Sequence, residues 1–517
     1  MFQYFNFQTL GAKIRIFHNK KHLSTLFIEK KMSEPTKHGN TTLDHVLKYT
    51  GVFGGVQGLN ILMSIVRNKL ASKLLGAAGI GLMGYYVAGA ELAGNCSNMG
   101  IPISSVQHLS ELFETDDRAR ITRFIRVIRT WCLWTALLAA LLCGVGAVAY
   151  DWHFVLLAPM VMAVAVTGGE ISILKGMRRL KRVATISVLA AVATFCLTIP
   201  FFWAFRLQGI ILSLDCTALA ITIIHLCFTL PLYPWHVSPL SAQTFREGLP
   251  LLRVGIPYVL TGIAGAAMAF ALQAFLKTYS SDETLGYYRV GYTIMVSYAG
   301  IVFKALEPDY FPRLSSVSHD LQRCNQTINQ QIRAFLLLMS PMLIALILLM
   351  PVILQVLYTS EFLPASSMTV CAVFYMFFRC LSVPIAYTAL ARGDSKTYMV
   401  MEIIYDIFSL SVIIGCYLQW QLIGIGIGLS LSGLFDLLLA GICYARLYHI
   451  RLERPSLLLA VEQAVLLAAA VAACLLLPTV WKYVLGALLL LLSVWRSARV
   501  LNRESDFVQK LRKRFRP

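Results

Sequence analysis

Apolar residues come in blocks of roughly 20, the length a helix needs to cross about 30 Å of hydrocarbon. The blocks follow one another with short polar breaks from about Leu47 to Trp495. They predict helices over 47–72, 79–104, 130–150, 152–173, 185–205, 208–230, 254–276, 284–308, 334–358, 365–390, 397–418, 422–445, 456–477 and 480–495, fourteen spans in all. Lipid leaves every backbone polar group to be satisfied within its own segment, so such runs read as helices; the alternation of barrel strands is missing. The expected fold is all-α and integral to the membrane.

Composition agrees. Of the 517 residues 57% are hydrophobic and 14% charged, and the mean hydropathy is +0.68. The formal charge of +19 would suit a nucleic-acid binder, but the placement of the basic residues argues otherwise. Twenty-eight Lys and Arg fall in the alternate connections that include "KGMRRLKR" (175–182) and in the tail "VQKLRKRFRP" (508–517); the opposite side holds four, Lys73, Arg206, Lys277 and Lys482. Under the positive-inside rule both termini are cytoplasmic, and no nucleic-acid partner is needed. The tail can also touch anionic headgroups, worth about 1 kcal/mol per basic residue. The twelve cysteines lie almost wholly inside spans with no C-x-x-C and no metal spacing, and read as small apolar residues. Residues 1–31 lack the apolar centre of a signal peptide and precede "MSEPTKHGN" at Met32; they read as an extension or a start-site artefact.

The stretch "GIGLMGYY" (79–86) contains G-x-G-x-x-G, but that phosphate cradle needs a preceding strand and a soluble βαβ unit. A repeat accounts for it better. "GYYVAG" (84–89) returns as "GYYRVG" (286–291), each opening an even-numbered span; "PISSV" (102–106) returns as "PRLSSV" (312–317), and "LQGIILSL" (207–214) as "LIGIGIGL" (422–429). Six helices thus precede six similar ones in the same direction, which predicts two lobes facing a cavity that opens alternately to each side. The glycines of 79–84 are expected to permit a tight turn and a close-packed helix start. The expected organisation is a cytoplasmic extension (1–45), an N-lobe (46–250), a C-lobe (251–450), two further helices (451–495) and a basic cytoplasmic tail (496–517).

Charged residues at membrane depth cost about 2.5–3.5 kcal/mol each on insertion scales, so they usually face protein or water. In the first span Gln57, Asn60, Ser64 and Arg67 follow 3-4-3 spacing and share a stripe, as do Glu91, Asn95 and Asn98 in the second. The eighth span sets Arg289, Thr293, Ser297, Lys304 and Glu307 in one arc, with an intrahelical Lys304–Glu307 pair as the structural alternative. Arg379 lies within "FYMFFRCLSVP", Glu402 and Asp406 are one turn apart, and Asp215, Asp436 and Glu170 complete the set. For each singly, interhelical pairing is the plainer reading. Together, arginines that cannot lose their proton would form a permanent anion site, so Arg67, Arg289, Arg379 and Lys304 are the expected diphosphate ligands. Gln57, Asn60, Ser64, Asn95 and Asn98 are expected to line the cavity. A carboxylate pair in low dielectric suits ion coupling, with Glu91, Glu402, Asp406 and Asp215 as candidates.

With "RNKLASKLLGAAGIGLMGYY" (67–86) at the junction of the first two spans, the chain resembles the Wzx-type polysaccharide flippases of the multidrug/oligosaccharidyl-lipid/polysaccharide exporter superfamily, over about residues 45–450. The resemblance implies a MATE-like fold in the bacterial inner membrane that turns undecaprenyl-diphosphate-linked oligosaccharides, such as O-antigen units, to the periplasmic leaflet by alternating access, with no cofactor. Its implied partners are that lipid-linked glycan, the bilayer, a glycan polymerase and other polysaccharide-assembly proteins. Family members commonly have twelve helices, and the lipid II flippase branch fourteen. A cation-coupled multidrug antiporter of the same fold is the alternative, favoured by the number of buried carboxylates and opposed by the three deep arginines. A membrane-bound glycan enzyme finds no support: there is no D-x-D, H-E-x-x-H or Walker loop and no large non-cytoplasmic connection.

Overall fold

The structure is a computed structural model that describes residues 39–115, 117–238 and 241–504, with side chains for these apart from 39–57, 252–258 and 502–504. Gln57 as a side chain, residues 1–31, most of the N-terminal extension and the end of the basic tail therefore lie outside the described residues. The described residues are mostly helical, with no strand among them. In chain order the helices are α1 (Gly39–Asn98), α2 (Ile101–Glu114), α3 (Arg118–Ala149), α4 (Ala158–Gly176), α5 (Leu180–Phe205), α6 (Gly209–Thr229), α7 (Ala242–Tyr279), α8 (Asp282–Tyr292), α9 (Ile301–Val317), α10 (Leu321–Leu357), α11 (Ala365–Cys371), α12 (Val373–Ala391), α13 (Ser395–Leu439), α14 (Ala445–Tyr448), α15 (Arg454–Leu476) and α16 (Thr479–Glu504).

Ten stretches among the described residues are long and apolar enough to cross a membrane. That count is smaller than fourteen partly because three of the stretches contain an internal break. Gly76 (φ 67) interrupts α1, Arg206 (φ 52) separates α5 from α6, and Gln421 (φ 50) interrupts α13. These are the polar gaps that the sequence leaves between 72 and 79, 205 and 208, and 418 and 422. The expected eighth span is not among the ten: a turn at 299–300 separates α8 and its π-helical extension (Thr293–Tyr298) from α9, and each piece is too short to cross a membrane by itself. The expected second span also differs, ending at Asn98 and restarting at Ile101 after Met99 (φ 49) and Gly100 (φ 75).

The chain divides into two compact units. One holds residues up to Leu75 together with Tyr85–Phe270, the other Gly76–Gly84 together with the chain from Ala271 onward. In the first, α3 packs on α4, and α4 on α2 and α6, which in turn packs on α5. Its core is a cluster around Ile101, Leu109, Ile121, Ile125, Ile128, Trp131 and Ile173. In the second, α12 packs on α13, and the hairpin of α15 and α16 packs on α10.

The repeat motif supplies close contacts in the second unit. A Cβ on Gly286 would lie 2.0 Å from the Ala77 carbonyl oxygen, and one on Gly81 would lie 2.6 Å from the Gly286 nitrogen. The starts of the two GYY helices therefore touch backbone to backbone, which only glycine allows. Beside them, Glu361 Oε1 accepts from the Ala77 amide at 2.9 Å, satisfying a helix-start donor where Gly76 breaks α1.

Candidate substrate site

In the N-terminal unit the polar stripe of α1 partly engages its neighbours. Asn60 Nδ2 donates to Ser187 Oγ on α5 at 2.9 Å, and Ser64 and Arg67 lie half-buried farther along the same face. Glu91, Asn95 and Asn98 are half-buried in the second part of α1, and Asn98 Oδ1 is buried with no hydrogen-bond partner among the described residues. Asp215 on α6 has a structural partner: its Oδ1 accepts from the Met160 amide at 3.0 Å. Met160 is in the first turn of α4, where amides lack intrahelical acceptors and the helix dipole favours a negative charge.

The strongest charge pair in this unit is one that the sequence reading did not anticipate. Arg129 on α3 and Glu170 on α4 are each only 1% exposed and meet bidentately, Nε to Oε1 at 2.7 Å and Nη2 to Oε2 at 3.0 Å. Arg129 Nη1 also donates to the Tyr233 and Pro234 carbonyls at 3.0 and 2.8 Å, and its guanidinium lies 5.0 Å from the Trp235 ring centre. The spacing carries a signal for this: Arg129 falls on the buried stripe of Ile121, Ile125, Ile128 and Cys132.

The C-terminal unit gathers more of the expected residues. Arg289, on α8, runs its stem across Gly84, with Cδ and Cγ 3.0 and 3.1 Å from where a Cβ would stand. Its half-buried guanidinium makes no hydrogen bond or ion pair among the described residues. Tyr288 and Tyr292 pack together one turn apart, ring centres 5.7 Å, and Tyr292 lies within electrostatic reach of both Arg289 and Arg379.

Arg379, on α12, keeps 30% of its side-chain surface and holds Asp436 of α13 at 3.5 Å. That distance is long for a charge-assisted hydrogen bond, which prefers about 2.7–2.9 Å. Asp436 Oδ2 takes its closer bond, 2.5 Å, from Ser382 Oγ. Tyr375 lies under the guanidinium at 5.9 Å, and the Tyr405 hydroxyl meets that of Tyr375 at 3.4 Å. Glu402 is within electrostatic reach of Arg379, as is Asp406. Farther along, Glu307 accepts from the Tyr387 hydroxyl with the Lys304 charge nearby, and Lys304 itself is exposed. The second unit thus brings Arg289 and Arg379 to one tyrosine wall, with three carboxylates, Asp436, Glu402 and Asp406, around the latter. Tyr405 lies on the face that the sequence assigns to Glu402 and Asp406, whereas Tyr375 and Ser382 were not anticipated; as apolar-flanked residues in a span interior they carry no local signal.

Residues 46–318, more than half of the chain, match the family described as polysaccharide biosynthesis protein. The chain belongs to that family. Solved structures extend the likeness to the fold of this polysaccharide biosynthesis protein. "Lipid II flippase MurJ, inward closed conformation" aligns with a TM-score of 0.61 at 14% identity, covering 87% of this chain and 99% of that one. An inward-facing MATE-family multidrug resistance transporter of the MOP superfamily aligns at 0.54 and 12% identity over 75% of this chain and 98% of that one. The MATE multidrug transporter DinF-BH, solved as a complex, aligns at 0.52 and 13% identity over 81% and 99%. No curated protein matches. The family match and the fold together give a polysaccharide biosynthesis protein with the helical architecture shared by those solved structures, and its ten apolar stretches make it a multi-pass membrane protein.

Proposed function

We propose that this protein is a flippase for undecaprenyl-diphosphate-linked oligosaccharides, carrying the repeat unit of a surface polysaccharide from the cytoplasmic to the periplasmic leaflet of a bacterial inner membrane. Both termini are cytoplasmic, residues 46–250 and 251–450 act as the two rocking lobes, and 451–495 form an added hairpin. The observation that carries this reading is Arg289, a half-buried guanidinium with no counter-ion among the described residues, which shares the neighbourhood of Tyr292 with a second guanidinium, Arg379. Arginine forks suit diphosphate oxygens, which they bind bidentately, while tyrosine hydroxyls suit sugars. Arg67 and Lys304 add positive charge, and the prenyl tail remains in lipid. Periplasmic polymerisation would consume the product, so a glycan polymerase is the natural partner.

The carboxylates around Arg379 favour coupling of the cycle to a proton or cation, with Glu402 and Asp406 as the exchanging pair. The same excess of negative charge favours the second reading, a cation-coupled multidrug antiporter. One experiment separates them. Arg289→Gln and Arg67→Gln are introduced singly into the chromosomal gene, and surface glycan and inner-leaflet lipid-linked glycan are measured with protein insertion. The flippase reading expects loss of surface glycan and accumulation of the lipid-linked unit at normal protein levels. Full export by both variants overturns it, and loss of resistance to lipophilic cations with export intact supports the antiporter.

A further inference from the structure

The connection from α14 to α15 is pinned along one face of α10. Asn325 Oδ1 accepts from the Arg451 amide at 2.9 Å while its Nδ2 reaches the His449 carbonyl at 3.4 Å. One turn on, Asn329 Oδ1 accepts from the Glu453 amide at 2.8 Å, and its Nδ2 donates to the Arg451 carbonyl at 2.9 Å. A further turn on, Arg333 Nη1 pairs with Glu453 at 3.0 Å and donates to Ser456 Oγ at 3.2 Å. Residues at i, i+4 and i+8 share a helix face, so three consecutive turns of α10 clamp the strap.

Between the strap and the start of α10 is a cavity of about 400 Å³ lined by Leu321, Gln322, Asn325, His449 and Arg451. His449 takes the left-handed conformation (φ 55, ψ 38) that ends α14. Exposure then alternates, with His449 and Arg451 outward and Ile450 buried between them, so both side chains line the cavity. Neither the imidazole nor the guanidinium makes a hydrogen bond or ion pair among the described residues. The neighbouring carboxylates are engaged elsewhere: Glu453 with Arg333, and Asp320 with Arg323 and with the first amides of α10. The cavity thus holds an unneutralised Arg and His, two amide side chains and the exposed methyls of Leu321, with exposed Leu447 and Leu452 on the same connection. It stands five residues before the apolar run that opens at 456, on the basic side of the sequence, which puts it in the headgroup layer.

We propose that this notch binds the phosphate of an anionic glycerophospholipid of the cytoplasmic leaflet. Arg451 takes the phosphate oxygens as a planar fork, His449 adds a donor, Gln322 meets the polar head, and the acyl chains descend along the exposed leucines. A free anion such as inorganic phosphate shares the first part of this chemistry and not the last. Occupancy would brace the α15–α16 hairpin against α10 at the end where the strap already holds it.

The test uses the full chain in nanodiscs of equal parts phosphatidylglycerol and phosphatidylcholine, with retained lipid counted by native mass spectrometry. The parent is compared with His449→Gln, Arg451→Gln, the double variant, and Arg454→Gln, whose exposed side chain does not line the notch. The expected result is one phosphatidylglycerol fewer on the double variant, about fivefold weaker retention for each single change, and no change for Arg454→Gln. Retention by the double variant equal to the parent overturns the proposal. So does an equal loss from Arg454→Gln, which would mark general surface attraction, or displacement of the retained lipid by millimolar inorganic phosphate, which would mark a free-anion site. None of these variants alters Arg289 or Arg67, so the test of the flippase reading is untouched.

Discussion

Removing the carboxylate of Glu170 is the perturbation whose size follows most directly from the geometry. Arg129 spends three donor nitrogens inside the N-terminal unit, two on Glu170 and one on the paired carbonyls of Tyr233 and Pro234, at 1% exposure. Deleting one member of such a pair leaves an uncompensated buried charge, which costs about 3–5 kcal/mol. Glu170→Ala should therefore be among the most damaging single changes in the unit. The double replacement Arg129→Met with Glu170→Leu removes both charges and should recover part of the loss. It cannot recover all, because the two carbonyls lose their donor, at about 1–3 kcal/mol for each group left unsatisfied. The assay is unfolding of the detergent-solubilised protein by increasing SDS fraction, followed by tryptophan fluorescence. The expected order of stability is parent, double variant, then Glu170→Ala. A single variant within about 1 kcal/mol of the parent, the range of solvent-exposed pairs, would refute the claim that this pair is dry.

Gly286→Ala should destabilise by about 1–3 kcal/mol or more by overpacking, since the new methyl would meet the Ala77 carbonyl oxygen and push two backbones apart; thermal unfolding of the purified variant checks this, and a neutral result would mean that the helix starts do not touch. Glu361→Ala removes the acceptor of the Ala77 amide and should cost about 1 kcal/mol, read as faster hydrogen exchange at residues 77–80; unchanged exchange there would dismiss the cap. Asp394 caps the start of α13, where burial raises its pKa but is outweighed by hydrogen bonds from Thr397 and Tyr448, so that the net direction is downward. Because its folded value is below the unfolded one, near about 3.9, its contribution is present above that pH and lost as the pH falls through the lower folded value; Asp394→Asn should lack this acid-dependent component, and identical pH profiles for parent and variant would refute it.

Much of the fold is legible in the chain because the bilayer imposes a strict length on apolar runs. The breaks at Gly76, Arg206 and Gln421 fall in the gaps that hydropathy leaves. Less visible is the division of α8 from α9, where a π-helical turn and the turn at 299–300 interrupt a run that hydropathy reads as one span. The GYY repeat points to a structural feature, and its glycines do make close contacts, Gly286 with Ala77 and Gly84 with the Arg289 stem. Individual partnerships were harder to read. Arg129 looks like one more basic residue in a cytoplasmic connection, whereas helical phase turns it inward to Glu170. Asp215 looks like a lone buried acid, and only the arrangement of α4 beside α6 reveals the amide that it caps. Pairing across helices depends on rotation and depth together, and a linear sequence fixes only the first.

The strap across α10 has a mechanical corollary for the last two helices. Three turns of one helix grip the polypeptide just before it re-enters the membrane, so α15 and α16 are fastened to α10 through backbone amides as well as through packing. A hairpin attached in this way shares the tilt of its host, and a spectroscopic probe placed on it would report movement of α10 itself.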